Sequence, residues 1–424
     1  MPGFEIIIGC VGKPSAGKST FFNAVTDGNA KVGNYPFTTI EPNTGVTYYL
    51  ADCPCKKYGV SDKCRPAYGT CRDGQRHIPM KLLDVAGLIP GACNGLGLGN
   101  KFLDDLRQAH VLLHIIDSSG RTNEKGENCI GYDPTNDAKW LYEEIHMWIY
   151  NNIMKKWSGM CRKYNMLKST EHPMSIEQLL QLQLSGYGTS PSQSKEVVSR
   201  LGIREPVNID EWTDEYIHKV VNVFIDVRFP LILVLNKADQ GGDTDKNIMK
   251  IINAYPEKGE NIIVCSAAAE CFLKKMNKHK YIKYERGDNM YIDRDTEIED
   301  TGKSDLKPFD ASMQGRMNKI LDMVLFRYGS TGVFKAIDRA VTCISPIVVY
   351  PIVSFTSFKG VKDSHVFSSC YILKAGSTCE DLEHLLQNAE LIPCMWLEAE
   401  DGRKLADDEP LVNGGVYKVV LRNA

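Results

Sequence analysis

The chain has 424 residues, 43% hydrophobic and 24% charged, with a formal net charge of −3. That length exceeds one ordinary core and implies two or three domains, and the near-neutral balance excludes a cationic field over the whole surface, so nucleic-acid contact falls to local patches and no DNA partner is expected. The 14 cysteines are too thinly spread for a disulfide framework, and Cys10, Cys265 and Cys343 sit in apolar runs where a reduced thiol acts as a small hydrophobe, which fits a cytoplasmic protein.

"FEIIIGCV" (4–11) is an apolar run that ends in a glycine-rich turn before "STFFNAVT", a helix start. Its apolar stretch is too short for a signal peptide, and no run reaches the ~18 residues of a membrane span. "MKLLDVAG" (80–87), "VLLHIID" (111–117), "PLILVLNKAD" (230–239) and "NIIVCSAA" (261–268) are further short apolar runs with polar or small residues at their ends. Such runs predict an α/β fold, a mostly parallel sheet with helices on both faces and ligands held beyond the strand ends.

Between Asp117 and Pro230 the period changes. "WLYEEIHMWIYNNI" places Leu141, Ile145, Trp148, Ile149 and Ile153 on one helical face, and "SIEQLLQLQL" and "DEYIHKVVNVFI" also read as helical. A helical insert over 118–228 is expected, with Trp148 and Trp157 in its core. A second insert, 52–78, is rich in Cys, Pro and Gly. The tail, 336–424, reads as strand, turn, a helix capped by Ser377 with Glu380 three residues on, and a closing strand "VYKVVLR", a module of the β-grasp type. The domain division is therefore 1–117 with 229–335, then 118–228, then 336–424.

Gly12-x4-Gly17-Lys18-Ser19 fits the Walker A pattern between a strand and a helix. The loop Gly12, Lys13, Pro14, Ser15, Ala16, Gly17 with Thr20 surrounds the nucleotide, its glycines letting backbone N–H groups turn towards the phosphates, while Lys18 reaches the β/γ-phosphates and the Ser19 hydroxyl ligates Mg²⁺. Asp84, in "DVAG", ends a strand where it holds a Mg²⁺-bound water, with Gly87 placed for the γ-phosphate. In "NKAD", Asp239 accepts from the guanine N1–H and amino group while Asn236 and Lys237 brace the loops. Ser266, Ala267 and Ala268 ("SAA") offer backbone amides to the guanine carbonyl. A lone NKxD is weak; four motifs in this order point to a GTPase.

"NYPFTTIEPN" (34–43) and "DVAGLIPGACNGLGLGNKFLDDLR" (84–107) resemble the two switch regions of Obg-related GTPases, closest to the YchF family and its archaeal and eukaryotic branch that keeps NKxD. The tail resembles the TGS module of those proteins at "LKAGST" (373–378), and the likeness is weakest across 150–228. The resemblance implies that Thr39 ligates Mg²⁺ beside Ser19 and that Phe37, Thr38 and the residues to Glu41 line the nucleotide. Two positions depart from common patterns. Ser15 stands where the relatives carry the Asn that helps hold K⁺ in potassium-stimulated members, which puts K⁺ in doubt. Leu88 follows "DVAG" where Ras-like proteins place the water-orienting Gln; this is the family's habit, and it leaves no identified catalytic side chain and implies slow hydrolysis.

Cys53, Cys55, Cys64 and Cys71 crowd the 52–78 insert; zinc and ordinary free thiols are both open, and the absence of paired CxxC spacing favours thiols. "FLKKMNKHKYIKYER" (272–286) interleaves six cations with Tyr281 and Tyr284, which suits RNA, although a solvated helix face is the commoner meaning. Lys155, Lys156, Arg162, Lys163 and Lys168 invite the same comparison. The expected protein is a monomer that binds GTP/GDP and Mg²⁺, hydrolyses GTP slowly, contacts no membrane and works as a switch with a ribosomal or RNA-associated partner. The alternatives are an ATP-hydrolysing YchF-like protein and a constitutive RNA-binding scaffold.

Overall fold

A computed structural model of the chain describes residues 4–26, 43–85, 105–168 and 173–422. The chain divides into two compact units, one of Met1–Ile7, Val25–Leu82 and Ile337–Ala424, the other of Ile8–Ala24 and Leu83–Ala336. In chain order the strands are β1 (Ile7–Val11), β2 (Thr44–Asp52), β3 (Thr70–Arg72), β4 (Gln75–Asp84), β5 (Val111–Asp117), β6 (Leu231–Asn236), β7 (Ile262–Val264), β8 (Ile282–Lys283), β9 (Ile292–Asp293), β10 (Ile347–Ile352), β11 (Tyr371–Leu373), β12 (Cys394–Glu398) and β13 (Val416–Leu421).

In the second unit β1, β5, β6 and β7 run parallel side by side, with Ile8 opposite Val111, Leu112 opposite Leu231 and Leu233 opposite Ile262. Every residue of β5 and β6 is buried, as expected of strands covered on both faces. The register brings all four carboxyl ends to one edge and sets Asp117 directly opposite Asn236. α1 (Lys18–Val25) follows β1, and the stretch after β5 folds as α2 (Thr135–Met154), α3 (Trp157–Lys168), α4 (Ile176–Leu184), α5 (Pro191–Leu201) and α6 (Asp214–Arg228). The Ser175 hydroxyl accepts from Gln178 N–H at 3.1 Å and the Ser190 hydroxyl from Gln193 N–H at 3.3 Å, while each Gln side chain returns to the cap backbone at 3.0 Å. This reciprocal capping fixes where α4 and α5 begin.

α2 packs along α6 and buries Leu141, Ile145, Ile149 and Ile153, while α6 turns Ile217, Val220, Val221 and Phe224 inwards. Trp148 and Trp157 are not in that core. Both are half-buried, Trp148 edge-on to Tyr187 at 4.8 Å and Trp157 beside Trp212 at 5.9 Å, because aliphatic side chains already fill the seam and the indoles cover its rim. Arg228 ends α6 buried, donating to the carbonyls of Tyr187 (2.8 Å), Ala109 (2.8 Å) and Arg107. Burial pulls its pKa down to about 10.

In the first unit β2 and β4 are neighbours, and β3 folds antiparallel onto β4 through a turn at Asp73-Gly74, both at positive φ. The Cys-rich insert is thus a hairpin preceded by one helical turn, Pro54–Lys57. The tail forms a second sheet in the order β11-β10-β13-β12, with β10 and β13 parallel and the outer pairs antiparallel. The helix Cys379–His384 lays Cys379 and Leu382 on its core with Leu397 and Tyr417. Its cap is Thr378, one residue later than expected: the Thr378 N–H donates to Asp381 Oδ2 at 2.9 Å, while Ser377 still belongs to the turn that closes on the Lys374 carbonyl. Among the described residues no helix is long and apolar enough to cross a membrane.

Candidate functional site

β1 leaves the sheet at Gly12, which holds φ +148°, and the loop re-enters helix after Gly17 at φ +98°. A Cβ on Gly12 would lie 2.4 Å from the Ile115 carbonyl oxygen, and one on Gly17 would lie 2.3 Å from Asn236 Nδ2. Both glycines are therefore required by close approach as well as by φ. Lys18 opens α1 almost buried, its ammonium donating to the Lys13 carbonyl at 2.8 Å. Burial lowers its pKa, with Asp84 and Cys10 opposing. A cation held where helix N–H groups converge is an anion site.

Ser19 Oγ donates to Asp84 Oδ2 at 2.8 Å. A hydroxyl and a carboxylate side by side are the hard oxygen donors that Mg²⁺ takes, so the pair fits that ion. Thr20 is exposed next to it. Phe37, Thr38, Thr39, Gly87 and Leu88 lie outside the described residues.

Ser15 has φ +62° and is exposed. Its position therefore demands the left-handed conformation, which L-residues adopt at a cost and Asn accepts several-fold more readily. Ser15→Asn should raise stability by about 0.5–1 kcal/mol, with Ser15→Gly raising it similarly; a lower denaturation midpoint in both variants would contradict this account.

Lys13 does something the motif does not advertise. Its side chain turns away from the loop's phosphate face and is buried with Asp137 of α2, Nζ to Oδ2 at 2.8 Å, while donating to the Thr122 carbonyl at 2.7 Å and lying 4.1 Å over the Tyr132 ring. Tyr132 Oη donates to Asp137 Oδ1 at 2.8 Å. Burial pushes the Asp137 carboxyl up, with Lys13 opposing. Only the Lys13 backbone is left to face a ligand.

On the base side, Asn236 Nδ2 donates to the Ala16 carbonyl at 3.0 Å while its Oδ1 accepts from Ala267 N–H at 3.1 Å. One side chain thus ties the phosphate loop to the "SAA" turn. Ser266 Oγ donates to Asp239 Oδ1 at 2.6 Å and accepts from Ala269 N–H at 3.2 Å, capping α8 (Ala267–Lys278; α7 is Asp243–Ala254). Ala268 is exposed beside them. Lys237 sits at φ +67° and its Nζ reaches Asp117 Oδ2 at 2.7 Å.

Asp117 itself escaped the sequence reading, although its place at the end of an apolar run was the signal. It is fully buried and accepts from Ser119 N–H (3.0 Å), Ser119 Oγ (2.5 Å), Thr122 Oγ1 (2.7 Å) and Lys237. Burial alone raises its carboxyl; donation by Lys237, Ser119 and Thr122 together outweighs burial and holds it below the ordinary 3.8. A depressed folded value means the contribution is fully present above that ordinary value and is lost as pH falls through the folded one. Asp117→Asn should therefore flatten the acid limb of a stability–pH curve; an unchanged limb would remove Asp117 from it.

Half of the six cations in the basic stretch 272–286 are engaged, while Lys275, Lys278 and Lys280 are exposed. Lys274 donates to the Ala24 carbonyl at 2.9 Å, Lys283 pairs with Glu297, Arg286 lies 4.2 Å over Phe334, and Tyr284 is buried with its hydroxyl on Glu270 at 2.9 Å. Tyr284 is thus no stacking platform.

A parallel sheet whose strand ends gather a glycine loop, a buried lysine, a Ser–carboxylate pair and an N-K-x-D turn defines a P-loop GTPase. A family model described as Obg-like GTPase YGR210-like, G4 motif-containing domain, matches residues 234–354, and one described as 50S ribosome-binding GTPase matches 7–142. An uncharacterized GTP-binding protein of Schizosaccharomyces pombe is 42% identical over 400 residues, 94% of either chain, and one of Methanocaldococcus jannaschii is 37% identical over 98% of either. The chain belongs to the Obg-like, YchF-related GTPases. The solved GTP-binding protein from Pyrococcus horikoshii OT3 aligns at TM-score 0.70 and 27% identity over 99% of this chain and 100% of that one. The Schizosaccharomyces pombe YchF GTPase, at 15% identity and TM-score 0.53 over 99% of each chain, shares the fold.

Proposed function

We propose that the protein binds GTP with Mg²⁺, hydrolyses it slowly, and uses the nucleotide state as a switch in a cytoplasmic, ribosome-linked role. The observation that carries this reading is the Asp239 carboxylate, oriented by Ser266 at the same sheet edge as Lys18. Ionised, it is acceptor-only, which suits the two donors on guanine's edge. Gly12 to Thr20 would hold the phosphates. Ser19 and Thr39 would hold Mg²⁺, with Asp84 acting through water, and the ion would neutralise charge between the β and γ oxygens. Gly87 would meet the γ-phosphate, and an apolar Leu88 would leave water unoriented, in keeping with a slow rate. The division into a GTPase domain, a helical insert and a TGS-like tail is the functional division we adopt; 28% identity over 61% of this chain to the Bacillus subtilis protein named ribosome-binding ATPase YchF supports the ribosomal link.

Lys18→Ala should abolish triphosphate binding, because it removes the one side-chain cation the loop directs at the β/γ-phosphates. Calorimetric titration with GTP checks this, and undiminished affinity in a folded variant would refute the assignment. Potassium is read through Ser15: Ser15→Asn should increase potassium stimulation of hydrolysis while Ser15→Gly should not. Equal rates in sodium and potassium for all three proteins would end that idea. ATP affinity comparable to GTP in the wild type would favour the ATPase reading, and nucleotide-independent ribosome co-sedimentation would favour a scaffold.

A further inference from the structure

The Cys-rich hairpin has almost no core of its own. Between residues 53 and 73 the buried residues are Cys53, Pro54, Cys55 and Cys64, and everything else is half-buried or exposed. So little apolar burial does not hold a loop of this length in one shape; small structural elements of this kind use a covalent or metal staple. All four sulfurs, Cys53, Cys55, Cys64 and Cys71, lie within 4.8 Å of one another, with Cys53–Cys64 at 3.9 Å and Cys55–Cys71 at 3.6 Å. Sulfurs at the corners of a tetrahedron around zinc, each about 2.3 Å from the metal, stand about 3.8 Å apart. The sequence spacing favoured free thiols because one ligand caps a helical turn, a second lies within it and another comes from a hairpin strand, so the set is not two paired CxxC knuckles.

A second observation points the same way. Arg76, opposite Cys71 across the hairpin, is 1% exposed. Its guanidinium donates to the carbonyls of Phe367 (2.6 Å) and Ser368 (2.8 Å), and Nη1 lies 3.9 Å from Cys53 Sγ, but among the described residues it has no carboxylate partner and its Nε finds no acceptor. A buried cation without a counter-charge is costly. Four thiolates around one Zn²⁺ carry a net charge of about −2, which supplies that counter-charge where the guanidinium already sits.

We propose that Cys53, Cys55, Cys64 and Cys71 form a structural tetrathiolate zinc site, separate from the nucleotide site. Binding converts four thiols to thiolates, releases four protons to solvent and involves no redox change. The site closes the hairpin beneath the segment that pairs with it: Arg65 N–H donates to the Val366 carbonyl at 3.0 Å and Ala67 N–H to the Ser368 carbonyl at 2.9 Å.

The test uses the full chain, purified under reducing conditions. One zinc per chain by elemental analysis is expected, and Co²⁺ exchanged into the protein should give intense thiolate-to-cobalt charge-transfer absorption and the d–d bands of a tetrahedral site. Cys64→Ser and Cys71→Ser should each weaken Co²⁺ binding at least tenfold, with circular dichroism reporting whether each variant remains folded. Wild-type protein that takes up neither Zn²⁺ nor Co²⁺ after full reduction overturns the proposal, as does a cobalt spectrum unchanged by both substitutions. Mass-spectrometric recovery of Cys53–Cys64 and Cys55–Cys71 disulfides from protein kept under reducing conditions would also overturn it. The wild-type cobalt spectrum keeps the question decidable if either variant fails to fold.

Discussion

Asp239→Asn is expected to lose GTP and gain xanthosine triphosphate. Guanine presents N1–H and its amino group to an ionised carboxylate, whereas adenine presents a lone pair at N1 and no C2 amino group, so the wild-type site would leave a desolvated carboxylate facing an acceptor. Sites that hydrogen-bond one ligand reject the analogue lacking those groups by as much as ~10⁴–10⁵. The structure adds a directional argument. The Ser266 hydroxyl accepts from Ala269 N–H and so spends its proton on position 239, at 2.6 Å. In the variant, that proton selects the Asn carbonyl oxygen and turns the Asn amide NH₂ towards the base. An NH₂ there repels guanine's amino group and welcomes the carbonyl that xanthine carries in its place. Titrating GTP, ATP and xanthosine triphosphate against both proteins reads the swap. If Asp239→Asn kept wild-type GTP affinity, Asp239 would not contact the base.

Asp137→Ala should destabilise the chain by about 3–5 kcal/mol, because it strands a buried ammonium. Lys13 and Asp137 have side chains exposed by only 1% and 2%, so neither water nor salt can compensate. Replacing both partners is a different experiment. Lys13→Met with Asp137→Leu removes the charges together and should recover most of the loss, since apolar pairs of similar volume often match buried ion pairs. Denaturant midpoints for both single variants and the double variant complete the cycle. An Asp137→Ala cost under about 1 kcal/mol would mean that the ammonium finds another partner or reaches water.

The parts of this fold that were legible in the sequence are those where burial is uniform. β5 and β6 are buried on both faces, and their apolar runs end where the strands end, at Asp117 and Asn236. β2, Thr44–Asp52, went unread because its buried and half-buried residues, with Gly45 among them, make neither a continuous run nor a clean alternation. At the proposed site, the glycines, Lys18, Ser19 and Asp239 stand out in the sequence because the phosphate and base chemistry proposed for them restricts residue type. Lys13 and Asp117 do not: Lys13's role depends on a carboxylate far along the chain, and Asp117 acts by holding Lys237 in place. The four cysteines were visible as a set with zinc one of two open readings, but their mutual closeness was not, because only folding brings Cys71 beside Cys55. Ser15 raised a question of ion ligation in the sequence; its positive φ shows that backbone conformation bears on the same position.

Asn236 has a consequence for how the nucleotide is sensed. With its amide nitrogen on the Ala16 carbonyl of the glycine loop and its amide oxygen on the Ala267 N–H of the turn proposed to meet the base, it makes the two halves of the proposed pocket a single mechanical part. Whatever orders one end has already met part of the entropic cost of ordering the other. In the proposed GTP-binding chain, guanosine and pyrophosphate offered as separate fragments would bind more weakly than the sum of their contacts suggests, and the intact nucleotide would draw on cooperativity that neither fragment can use.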